Sequence, residues 1–84
     1  MSAILNTYNR KKIAFTKGKG SFLYGTNGKR YLDFVQGIAV NCLGHANNYL
    51  INSISKQSKK LWHVSNAFII PEQERLAKRL KQKT

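Results

Sequence analysis

The chain has 84 residues, 42% of them apolar and 11% aromatic, and fifteen Lys and Arg against three acids give a formal net charge of +12. That length holds one small domain, the apolar content excludes a disordered tail, and no apolar run approaches the roughly 18 residues a membrane helix needs. The charge suits nucleic acid or an anionic surface, yet only four of the cations are Arg, the residue that reads bases through a planar fork; the Lys residues are scattered along the chain.

The N-terminal stretch "MSAILNTYNRKK" lacks the apolar core of a cleavable signal. One cysteine, Cys42, excludes an internal disulfide and suits a reducing cytoplasm, where we expect the protein. Residues 8–15 read as extended and "KGKG" at 17–20 as a flexible turn. Residues 22–34 then read as a β-hairpin, because Asn27-Gly28 is a strong signal for a two-residue turn. Such a turn sets Thr26 opposite Lys29, Tyr24 opposite Tyr31 and Phe22 opposite Asp33. One face then carries Phe22, Tyr24, Tyr31 and Asp33, and the other Leu23, Leu32 and Phe34. Both faces are largely apolar, so the hairpin calls for cover on two sides.

Gly37 to Leu43 reads as a short buried strand or extended passage closed by Gly44. A helix follows over about 48–61, started by Asn47 or Asn48, with Leu50, Ile51, Ile54 and Leu61 on one stripe. Residues 63–70 are a loop or short extended piece. Pro71 opens a second helix over 71–84, with Glu72 and Glu74 at its positive end and Lys78, Arg79, Lys81 and Lys83 at its negative end. Leu76, Ala77 and Leu80 form its expected buried face, and it carries no C-cap glycine. The fold class is α+β: a hairpin or meander followed by two helices.

Few residues offer chemistry of their own. Cys42 and His45 have a zinc-like spacing and His63 could add a third ligand, but a structural zinc site takes four, so ordinary packing is the better reading. A Cys–His nucleophile lacks any visible orienting group. Gly20 and Gly25 have the separation of a phosphate loop, but Thr26 stands where its lysine belongs. "KGKGSFL" is superficially like an RNA-binding strand, yet Lys19 and Ser21 occupy the positions of the stacking rings. The acids, Asp33, Glu72 and Glu74, include no facing pair.

Four stretches in order carry a resemblance: "KGKGSFLYGTNGKRYLDF" (17–34), "GIAVNCLGH" (37–45), "KQSKKLWHVSN" (56–66) and "PEQERLAKRL" (71–80). Together they resemble the N-terminal segment of class III pyridoxal-phosphate aminotransferases, nearest to the branch acting on N-acetylornithine, over about residues 8–84. Two features depart from the family pattern. Gly25 replaces the acid before the hairpin turn, and the family's G-H-x-H-P becomes Gly44-His45-Ala46-Asn47-Asn48.

The resemblance implies a parent of the fold type I α/β architecture. Residues 1–70 would be the N-terminal part of its small domain, and 71–84 a helix leading into the large pyridoxal-phosphate-binding domain. It implies a homodimer that passes the δ-amino group of N-acetylornithine to 2-oxoglutarate in arginine biosynthesis. Succinylornithine, succinyldiaminopimelate, ornithine and 4-aminobutyrate stay open as alternative donors. It places Ile38 near the far end of the substrate, where ornithine aminotransferases carry a tyrosine, and an aliphatic side chain suits an acylated α-nitrogen. Ser65, Asn66 and Phe68 match a loop bordering the active site. The Schiff-base lysine and the other cofactor-binding groups match nothing in the 84 residues. We therefore expect a fragment that neither binds the cofactor nor catalyses alone, with no catalytic, cofactor or metal residue of its own. The competing reading is a small basic nucleic-acid-binding module.

Overall fold

The computed structural model describes residues 2–84. Three strands, β1 (Phe15–Lys19), β2 (Phe22–Gly25) and β3 (Arg30–Leu32), form one antiparallel sheet in the order β1-β2-β3. A single turn α1 (Gln36–Ala39) and two helices, α2 (Asn48–Ser58) and α3 (Pro71–Lys83), follow. The α+β class and the run of strands then helices are as the sequence implies. The chain divides into two units, one up to Asn52 and one of Ser53–Thr84. No described residue is fully buried, so the half-buried side chains of each unit stand in for a core.

The "KGKG" stretch is a strand rather than a turn: Lys17, Gly18 and Lys19 pair with Tyr24, Leu23 and Phe22. Glycine weakens a strand unless another group must come close. Here it must, because a Cβ on Gly18 would lie 2.6 Å from His45 Cγ.

The hairpin is one residue out of the expected register. Phe22 pairs with Leu32, Leu23 with Tyr31 and Tyr24 with Arg30. The loop closes with Gly28 N–H on Gly25 O and Gly25 N–H on Lys29 O. A two-residue turn of the expected type needs positive φ at both Asn27 and Gly28. Only Gly28 has it, at 78°. The Asn27 side chain is committed elsewhere: Oδ1 accepts from Lys29 N–H at 3.0 Å and Nδ2 donates to Tyr31 Oη at 2.8 Å.

This slip re-sorts the faces. Phe22, Tyr24 and Leu32 now share a face with Lys17, Lys19 and Arg30. The Arg30 guanidinium lies 4.3 Å from the Phe22 ring centre and the Lys17 ammonium 4.8 Å from that of Tyr24. Leu23, Tyr31 and Phe15 share the other face, where Phe15 and Tyr31 meet edge to face at 5.6 Å.

Helix α2 begins at Asn48, with Asn47 as its cap: Asn47 Oδ1 accepts Leu50 N–H at 3.2 Å. It stops at Ser58, three residues short of the expected end. Gln57 O takes the amides of Lys60 and Leu61, Gln57 Nε2 donates back to Leu61 O, and Trp62 Nε1 donates to Ser58 O at 2.6 Å. Leu61 thus leaves the helical stripe. Helix α3 starts at Pro71 as expected, and Thr84 closes it by donating both N–H and Oγ1–H to Leu80 O. Its expected buried face is not covered: Leu76 and Leu80 are exposed.

Candidate functional site

The best-built spot in the first unit lies where the strand passage Tyr31-Leu32-Asp33 meets Gly44-His45. Asp33 N–H donates to Ser21 O at 2.8 Å, which sets the carboxylate at the sheet's end. Asp33 Oδ1 accepts Gln36 N–H at 2.9 Å and Val35 N–H at 3.0 Å. Asp33 Oδ2 lies 2.7 Å from His45 Nε2. The side chains are 6% and 20% exposed, well sheltered for a polar pair. The backbone bonds to Gln36, then the His45 bond, hold the Asp33 carboxyl below its ordinary value of 3.8. An ionised carboxylate only accepts, so the shared proton sits on His45 Nε2.

His45 is held from its backbone too. Its N–H donates to Gly20 O at 2.8 Å and its carbonyl accepts Gly20 N–H at 2.9 Å. A Cβ on Gly44 would come within 2.9 Å of Gly20 O, so only glycine admits this bridge.

Directly after Asp33 the backbone turns the wrong way. Gln36, Gly37, Ile38 and Ala39 have φ of 57°, 62°, 65° and 61°, a left-handed turn, not the buried strand expected for "GIAVNCL". Each non-glycine residue there costs about 1–2 kcal/mol, and a β-branched Ile is the least suited. Bonds from Val40 and Asn41 N–H to Gln36 O close the turn. Ile38 stands on it 86% exposed. An open, largely apolar groove of about 480 Å³ is lined by Leu23, Tyr31, Phe34, Gly37, Asn41 and His45 among others.

In the second unit Ser65, Asn66 and Phe68 lie in one short turn. Ser65 has φ of 73°, its Oγ accepts Ala67 N–H at 3.3 Å and its carbonyl accepts Phe68 N–H. Phe68 is 68% exposed. The structure therefore groups these three, while Ile38 belongs to the other unit. Asp33 and His45 were not singled out as a pair from the sequence; their separation of twelve residues leaves no local signature.

Cys42 is exposed, and among the described residues no three metal-ligating side chains gather. On the sheet, the Phe22 and Tyr24 rings have the chain's own cations, Arg30 and Lys17, over them. No described helix is long and apolar enough to cross a membrane.

The family model for aminotransferase class-III matches residues 4–84. The chain belongs to that family. It is 52% identical over all 84 residues to acetylornithine aminotransferase of Rhodobacter capsulatus, and 54% identical over 76 residues to that of Oceanobacillus iheyensis. It covers 21% and 19% of those proteins, so the chain spans about a fifth of the curated relatives it matches. The N-acetylornithine aminotransferase structure from Stenotrophomonas maltophilia superposes with a TM-score of 0.80 at 33% identity, over 90% of this chain and 21% of that one.

A class III aminotransferase implies pyridoxal phosphate, and these residues do not fit it. All eleven Lys are exposed, and the half-buried acid, Asp33, has both oxygens engaged.

Proposed function

We propose that this chain serves as the N-terminal segment of a pyridoxal-phosphate aminotransferase that moves the δ-amino group of N-acetylornithine to 2-oxoglutarate in arginine biosynthesis. Residues 1–70 belong to its small domain and 71–84 lead toward the large one. The enzyme is a cytoplasmic homodimer, and the cofactor-holding lysine comes from outside these 84 residues. What carries this reading is the identity over the whole chain to acetylornithine aminotransferases, together with the fold likeness to one.

Within that enzyme Ile38 meets the acylated end of the donor, and Ser65, Asn66 and Phe68 sit in a loop that borders an active site of the dimer. The support is the exposed presentation of Ile38 on a turn held against backbone preference. Strain of that kind persists only where the surroundings over-determine it, which is the usual state of a site.

The test is a chimera: the matched segment of the Rhodobacter capsulatus enzyme replaced by this chain. It should transaminate N-acetylornithine with 2-oxoglutarate. Ile38→Tyr in the chimera should improve use of free ornithine, on the order of tenfold relative to N-acetylornithine, because the phenol can pair the α-amine. A chimera without transaminase activity, beside an active parent enzyme, removes the reading. Unchanged donor preference in Ile38→Tyr removes the role of Ile38.

A further inference from the structure

We propose that Asp33 and His45 are positioning residues for the amino donor: they hold the left-handed turn Gln36–Ala39 in the conformation that presents Ile38. The inference rests on the aminotransferase reading above and concerns side chains that reading leaves without a role.

Three of the four turn residues, Gln36, Ile38 and Ala39, are not glycine, so the turn does not hold itself. Its entry is tied at two consecutive amides, Val35 and Gln36, and both ties end on one oxygen, Asp33 Oδ1. The other oxygen is anchored by His45 Nε2 at 2.7 Å. His45 in turn cannot drift, because two backbone bonds fix it to Gly20 at the end of β1. A continuous path therefore runs from the sheet, through the imidazole and the carboxylate, to the amide that opens the turn. Without the imidazole the carboxylate keeps only its two amide bonds at the turn's own entry, and it can swing with that entry as the turn relaxes to an ordinary backbone conformation. Ile38, two residues into the turn, would move with it. The chemistry asks for this pair: a carboxylate to accept three donors at once, and a ring nitrogen whose other side is fixed by its own backbone.

The experiment uses the same chimeric enzyme, purified with its cofactor. His45→Ala should raise KM for N-acetylornithine roughly tenfold and erode the preference over ornithine, leaving KM for 2-oxoglutarate and the bound-cofactor absorbance unchanged. His45→Gln, which offers an N–H near the place of Nε2, should recover most of the loss. A uniform fall in kcat for both donors, or no change, overturns the proposal. If His45→Ala yields no folded enzyme, His45→Asn, whose amide stops short of Asp33, should show the same donor-selective shift. Failure of both variants to fold assigns the pair a purely structural role and also overturns it. An unsubstituted chimera that is inactive fails the aminotransferase reading and takes this proposal with it. An active chimera without the donor-selective shift fails this proposal alone.

Discussion

Gly18 and Gly44 stand on either side of His45, and neither has room for a methyl group. A Cβ at Gly18 meets the imidazole at 2.6 Å, and one at Gly44 meets Gly20 O at 2.9 Å on a backbone at φ of 81°. Gly44→Ala should therefore destabilise the Gly20–His45 bridge by at least about 1–2 kcal/mol, from the left-handed backbone alone. Amide hydrogen exchange at Gly20 and His45 reads it directly, and unchanged protection would contradict the geometry.

The Asp33 carboxylate gives the same spot a pH dependence. The folded chain holds this group below 3.8, chiefly through Gln36 N–H and His45, while the unfolded chain titrates near 3.8. Its contribution is thus full above 3.8 and fades as the pH falls through the lower, folded value. Exchange at the Val35 and Gln36 amides should accelerate across that acid window in the wild type, beyond the intrinsic change, and Asp33→Ala should remove the step. Each residue of this cluster was legible alone: Asp33 as an acid in "YLDF", His45 beside a glycine, "KGKG" as glycine-rich. The cluster was not, because it forms only when the sheet's end and a loop twelve residues on are brought together.

Among the elements, helix α2 shows how a departure from the family pattern keeps its physical sense. Asn47 and Asn48 stand where the family has His and Pro, and Asn47 caps the helix while Asn48 occupies its first turn. Asn47→Ala should weaken α2 by about 1 kcal/mol, seen as lost helical circular dichroism. Asn47→Asp should retain it, because a carboxylate caps equally well and favours the helix dipole. Equal helicity in all three would mean the cap does nothing. The start of α2 was readable from capping chemistry and that of α3 from Pro71, and α3 was readable to its end. The strands were harder. β1 was hidden because its glycine serves a contact with His45 that no local pattern announces. The hairpin slipped by one residue because the Asn27 side chain bonds Lys29 and Tyr31 rather than freeing its backbone for a tighter turn. The left-handed turn at Gln36–Ala39 ran against an apolar, β-branched sequence that reads as a strand, since the Asp33 side chain takes the amides of Val35 and Gln36 and offers the backbone a local alternative to a strand there.

For the molecule as a whole the decisive quantity is uncovered apolar surface. Large apolar side chains such as Phe34, Val35, Ile38, Trp62 and Ile69 are each at least two-thirds exposed, and none of the described apolar residues is fully buried. The sequence signalled part of this through a hairpin apolar on two faces, although the true register leaves one face lined with cations. Hydrophobic burial is the main term that offsets chain entropy, and an 84-residue chain lacking it has little margin. The isolated chain should accordingly unfold over a broad, weakly cooperative thermal transition, bind a hydrophobic dye strongly at room temperature and take up no pyridoxal phosphate. The same residues inside the chimeric enzyme should lose dye binding and share that enzyme's sharp transition. A sharp transition in the isolated monomer, with no dye bound, would mean that the half-buried clusters around Asp33–His45 and Val64–Ile70 suffice on their own. The uncovered surface would then have to be read as a binding face rather than as part of a larger core.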